Sequence, residues 1–89
     1  MSTLAKLHTI ARTPLAHTPT PIEPLPNLGK YLGSGPLYVK RDDCTGLALG
    51  GNKARQLEFY FGDALARDAT VVLITGAVQS NYVRSTAAA

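Results

Sequence analysis

Eighty-nine residues, 45% hydrophobic and 17% charged with a single cysteine, are too apolar for a disordered tail and too mixed for a membrane span. One cysteine permits no disulfide framework, and Cys44, His8 and His17 do not make a metal-ligand cluster. The net charge of +3 is scattered from Lys6 to Arg84 and not clustered among aromatics, which argues against a nucleic-acid footprint and for weak steering of small anions.

A chain of this length buries about 8,600 Å² on folding, and the cost of ordering it is of similar size to the gain. With nothing to staple the core, the expectation is a chain that is barely stable alone or incomplete. The first 22 residues lack acids and carry Lys6 and Arg12, which leaves a transit peptide open, but Pro14, Pro19 and Pro21 break any long amphipathic helix. The longest aliphatic run, Val71 to Ile74, is too short for a span or a signal-peptide core, and the cytoplasm is the expected compartment.

Pro14, Pro19, Pro21, Pro24 and Pro26 mark an extended arm, taken as residues 1–24. Leu25, Leu28, Tyr31 and Leu32 recur at helical spacing and stop at Gly33, which predicts a short helix with a glycine cap. Leu37 to Lys40 read as a strand ended by Arg41, Asp42 and Asp43. After a loop from Cys44 to Gly51, Ala54, Leu57, Phe61, Ala64 and Leu65 form one stripe of a helix capped by Asn52, with Arg55, Glu58 and Arg67 placed off the stripe. Val71 to Thr75 read as a strand buried on both faces, the signature of a parallel sheet, and a further helix opens at Ser80 or Asn81. The fold class is therefore α/β, an incomplete, open, mostly parallel sheet with flanking helices. Residues 25–89 form part of a domain that looks cut short in its last helix.

Two segments carry possible chemistry. In Gly50-Gly51-Asn52-Lys53 a tight turn delivers a lysine to the first turn of a helix, beside the positive end of the dipole, where the neutral amine that forms Schiff bases gains on the cation. A solvated lysine in an ordinary glycine loop is the competing reading, and a P-loop is excluded because Asn52 follows Gly51. In Thr75 to Asn81 a strand-to-helix turn offers free amides, the Ser80 hydroxyl and the Asn81 amide to a carboxylate or phosphate; simple helix capping is the alternative. Asp42 and Asp43 diverge on an extended segment and are expected to cap or to pair with Arg55. Cys44 is expected to be structural and buried, and Tyr60 and Phe61 to be core.

Lys40-Arg41-Asp42-Asp43, Gly50-Gly51-Asn52-Lys53 and Gln79-Ser80-Asn81, in that order, resemble the D-cysteine desulfhydrase and 1-aminocyclopropane-1-carboxylate deaminase family of pyridoxal-phosphate enzymes. That family has the fold of the tryptophan synthase β subunit. The match runs from about Thr18 to Ala89, corresponds to the amino-terminal part of a family member, and includes Pro19 to Ile22 and Arg55 to Glu58.

The resemblance implies that Lys53 holds pyridoxal phosphate through a Schiff base and then moves the substrate's α-proton, with Asn52 and Asn81 also binding the cofactor, Asn81 at its 3-hydroxyl. Ser80, Asn81 and the amide of Tyr82 would hold the substrate carboxylate, and the deaminase branch uses the matching serine as a proposed nucleophile. Tyr82 stands where histidine or glutamine is expected and Ser85 where glutamine is expected, which leaves the substrate open. Cys44 is similar to the deaminase branch, whereas Gly76 to Gln79 and Val83-Arg84 are similar to the desulfhydrase branch.

The implied activity is a lyase acting on a small amino acid, foremost D-cysteine to pyruvate, ammonia and sulfide, in a homo-oligomer without nucleic-acid or membrane partners. By the resemblance, the family's phosphate-binding glycine loop lies in a part this chain lacks, so the 89 residues alone are expected to bind the cofactor weakly or not at all and to be inactive. A partner-docking fragment and an anion-binding module are the readings from other classes.

Overall fold

The computed structural model describes residues 2–89, and its elements follow the proline and glycine punctuation closely. Helix α1 (Thr3–Leu7) is one short turn capped by Ser2, whose hydroxyl accepts from the Ala5 amide at 3.2 Å. Strand β1 (Ile22–Pro24) pairs antiparallel with β2 (Tyr38–Lys40), in the register Ile22 with Lys40, Glu23 with Val39 and Pro24 with Tyr38. Between them α2 (Pro26–Leu32) starts on a proline, whose missing N–H costs nothing at that position, and ends on Gly33 with φ +61°. Two single 3₁₀ turns, Asp42–Cys44 and Leu47–Leu49, lead into α3 (Lys53–Ala66), and α4 (Asn81–Ala88) ends the chain.

The first 24 residues do not simply run extended. Besides α1 and β1, the arm lies across α3: the Thr13 amide donates to the Glu58 carbonyl at 2.9 Å, and the His17 amide to the Thr45 carbonyl at 2.8 Å. At the crossing, a Cβ on Gly62 would sit 2.5 Å from the carbonyl oxygen of Ala11. Glycine in mid-helix is destabilising by itself, so here it is the close passage of the arm that requires it.

The stripe of α3 buries Ala54 and Leu57 fully and Phe61 and Ala64 in part, whereas Leu65 is 59% exposed. Glu58, expected off the stripe, is buried with 2% exposure, because positions 54, 57, 58, 61 and 62 share one helical face and the arm covers it. Burial of Leu57 contributes about 2 kcal/mol. Ser85 and Thr86 of α4 complete this small core, into which Tyr60, 63% exposed, does not enter.

Val71 to Thr75 has no strand partner among the described residues, and Val71 and Leu73 are 73% and 91% exposed. A strand buried on both faces needs neighbours on both edges, and the only pairing here is the antiparallel β1–β2. Val72, Leu73 and Ile74 instead line a groove of about 200 Å³ with Leu57, Phe61 and Tyr82. No helix is long and apolar enough to cross a membrane, and no group of His, Cys, Asp and Glu among the described residues has metal-site geometry.

Candidate active site

Lys53 is the first residue of α3, and the loop before it runs through four consecutive residues with positive φ: Ala48 (46°), Leu49 (72°), Gly50 (79°) and Gly51 (116°). The loop is anchored from within by the Gly50 amide on the Leu47 carbonyl (2.9 Å) and by the buried Thr45, whose hydroxyl donates to the Gly51 carbonyl at 2.6 Å. Half-buried Lys53 forms no ion pair among the described residues. Asn52 does occupy the position before the helix, but its backbone is already helical (φ −71°, ψ −15°), so its exposed side chain makes no capping bond.

Ser80 caps α4: its backbone is extended and its hydroxyl oxygen accepts from the Val83 amide at 3.2 Å. That bond uses a lone pair and leaves the hydroxyl proton available as a donor. The backbone N–H groups of Asn81 and Tyr82, at the positive end of the helix dipole, have no protein acceptor among the described residues. The Asn81 side-chain oxygen accepts from Gln79 Nε2 (3.0 Å) and Arg84 Nη1 (2.8 Å), which leaves Nδ2 as its outward donor. The side chain of Tyr82 lines the apolar groove, and Ser85 is buried at 1% exposure. Neither departure at positions 82 and 85 therefore places a side chain among the donors of the α4 terminus.

Arg84, singled out in the sequence only as a branch marker, joins the two segments. Its Nε donates to the Ala48 carbonyl at 2.9 Å and its Nη2 reaches the Gly50 carbonyl at 3.4 Å, while Nη1 holds Asn81. The structure thus brings Asn81 to the loop that delivers Lys53, and the three grooves described here are lined by neither Lys53, Ser80 nor Asn81.

The acidic residues form a frame around this region. Asp42 pairs with Arg55 through Oδ2 to Nε and Oδ1 to Nη2, each 2.8 Å, and accepts from the buried Thr20 at 2.6 Å. The bonds from Arg55 and then Thr20 hold its carboxyl far below the usual carboxylate range, and Asp42 in turn raises the Arg55 guanidinium. Asp43 instead pairs with Arg41 at 2.8 Å, which lowers its carboxyl, and Arg41 also bonds Glu23 at 2.7 Å. Neither aspartate is poised to carry a proton at neutral pH. Cys44 is exposed rather than buried, its thiol 3.7 Å from an Asp43 oxygen, because the 3₁₀ turn carries it to the surface.

Helix N-terminal amides, a hydroxyl, an outward amide tied by Arg84 to the loop before Lys53, and a lysine amine without an ion pair among the described residues make a set suited to an anionic, carbonyl-bearing ligand. Residues 13–89 match the family model described as "Pyridoxal-phosphate dependent enzyme", and the chain belongs to that family. More narrowly, it is 52% identical over 85 residues to proteins named D-cysteine desulfhydrase from Salmonella paratyphi B and Salmonella newport, covering 92% of this chain and 26% of each relative. A crystal structure of an "ACC deaminase homologue" superposes with a TM-score of 0.81 at 46% identity, over 92% of this chain and 26% of that one. The chain therefore spans about a quarter of the length of the proteins it matches.

Proposed function

We propose that this chain carries the lysine and the carboxylate receptor of a pyridoxal-phosphate lyase that acts on a small amino acid, with D-cysteine, converted to pyruvate, ammonia and sulfide, as the first substrate. The observation that carries the reading is the Arg84 link between the α4 terminus and the glycine loop ahead of Lys53. Names of relatives support the same chemistry: desulfhydrases at 52% identity and an ACC deaminase homologue at 46%.

The donor set fits the cofactor's ring and carbonyl end. Lys53 supplies an amine without an ion pair among the described residues, and Asn81 turns Nδ2 outward, where it would donate to the ring's oxygen substituent. When bound, pyridoxal phosphate supplies an electron sink that makes the substrate's α-proton acidic. Lys53 Nζ would take that proton as the sulfur leaves Cβ with the electron pair of the C–S bond. The Ser80 hydroxyl and the amides of Asn81 and Tyr82 hold the substrate carboxylate, where the positive end of α4 favours an anion. Asn52, exposed beside Lys53, is assigned to the cofactor's edge. Residues 25–89 form part of the cofactor-binding domain, with residues 1–24 as an arm strapped on it, in a cytoplasmic homo-oligomer. A deaminase acting on 1-aminocyclopropane-1-carboxylate is the second reading, favoured by the structural match.

The test uses the full-length protein. Borohydride reduction of the cofactor-loaded protein followed by peptide mapping is expected to label Lys53, and Lys53→Ala is expected to lower sulfide release from D-cysteine by more than about 10³-fold, the loss expected when a covalent and proton-transferring group is removed. Label on another lysine, or near-normal turnover by Lys53→Ala, overturns the proposal. Release of ammonia from 1-aminocyclopropane-1-carboxylate without sulfide from D-cysteine selects the second reading.

A further inference from the structure

We propose that Arg84 is a positioning residue that seats the loop delivering Lys53 and fixes which way the Asn81 amide faces. The inference rests on the reading of Lys53 and Asn81 given above. Ala48 and Leu49 hold left-handed backbone conformations that residues with a Cβ disfavour, and Leu49 is 92% exposed, so no packing of its own side chain holds it there. What holds the loop is hydrogen bonding, and Arg84 contributes the only bonds that reach it from α4 among the described residues, at the Ala48 and Gly50 carbonyls.

The third contact of the same guanidinium sets the Asn81 side chain. A guanidinium only donates, so the amide group facing it must be the oxygen, which also accepts from Gln79 Nε2; a flipped Asn81 would set donor against donor at Arg84. Arg84 lies three residues after Asn81, one turn along the helix, where the two side chains are neighbours. A planar fork can serve the loop and Asn81 together, whereas a lysine ammonium on its flexible stem cannot span all three acceptors in one plane. Loss of Arg84 thus loosens the loop and frees the Asn81 amide to turn over.

Two properties of the full-length protein test this: the dissociation constant for pyridoxal phosphate, and the ratio of the bound cofactor's long- and short-wavelength absorption bands, which reports hydrogen bonding at the ring oxygen. Arg84→Met and Asn81→Ala are each expected to weaken cofactor binding by about tenfold, the size of losing one charge-assisted hydrogen bond or its dependent partner. Both should move the band ratio in the same direction, and Asn81→Ala/Arg84→Met should match Asn81→Ala in band ratio, because Arg84 acts there through Asn81. An Arg84→Met protein with wild-type affinity and bands, or a double variant whose band shift is the sum of the single shifts, overturns the proposal.

If Arg84→Met does not fold, Arg84→Lys decides: intermediate affinity with a shifted band ratio supports the role, and wild-type values of both overturn it. A wild-type protein without borohydride label at Lys53 overturns the functional reading and this inference with it. Normal labelling at Lys53 beside an unchanged Arg84→Met overturns the Arg84 role alone.

Discussion

At Gly50 the backbone holds φ +79°, and a Cβ there would run into the carbonyl oxygen of Asp43. No side chain fits both the torsion and the space, so Gly50→Ala is expected to destabilise the full-length protein by about 2 kcal/mol, read as a lowered urea midpoint, and to reduce Lys53 labelling as the loop shifts. The Gly-Gly pair ahead of Lys53 was legible in the sequence, and so was the Asp42–Arg55 pairing. The sequence allows Ser80 both as a cap and as a ligand donor; its bond to the Val83 amide establishes the cap without consuming its proton. Arg84 was not legible as a link. Its three-residue spacing from Asn81 signalled that the two side chains meet, but the carbonyls it also binds lie 34 and 36 residues earlier in the chain, and no local pattern announces such a contact.

Among elements, α3 shows where polarity misleads. Spacing alone places Glu58 on the face of Ala54, Leu57 and Phe61; its charge argued for solvent, and the arm decided the matter. The buried carboxylate accepts Arg12 at 2.6 Å and the Leu15 amide at 2.9 Å, and Arg12 also lies 5.3 Å above the Phe59 ring. Burial raises the Glu58 carboxyl, but the Arg12 bond and the Leu15 amide outweigh it, so the net value lies below the ordinary 4.5. A folded-state value below the unfolded one means stabilisation that is complete above the ordinary glutamate value and lost as pH falls through the lowered one. The arm is therefore expected to loosen in acid, seen as falling hydrogen-exchange protection of the Leu15 amide while the Leu57 amide stays protected; equal protection at both pH extremes would refute it. Arg12→Ala leaves the carboxylate 2% exposed without its cation and is expected to cost about 2 kcal/mol by urea unfolding, less than for a fully buried pair because Arg12 is 42% exposed.

For the molecule as a whole, the exposed surface is 6784 Å², against about 5,000 Å² for a compact monomer of this length. The radius of gyration is 16.5 Å, against about 12 Å, and the extents of 51 × 42 × 19 Å describe a slab. Among the described residues only Ala54 and Leu57 are fully buried hydrophobics, so the 89 residues produced alone are expected to bind a hydrophobic dye and to self-associate as concentration rises. They are also expected to hold pyridoxal phosphate weakly or not at all, with no stoichiometric labelling at Lys53. A monomeric, dye-silent chain in sedimentation velocity, or a full Lys53 label, would contradict this. The sequence by itself determined the elements bounded by proline and glycine, the helix that starts at Lys53, the Ser80 cap and the family, because torsional limits, helical spacing and capping act over a few residues. Only the tertiary structure decided that Glu58 is buried, that Val71 to Thr75 is unpaired among these residues and that Arg84 ties Asn81 to the loop before Lys53. Each of those depends on groups brought together from distant parts of the chain, or on strand edges that need a neighbour, and neither leaves a periodic trace in the sequence.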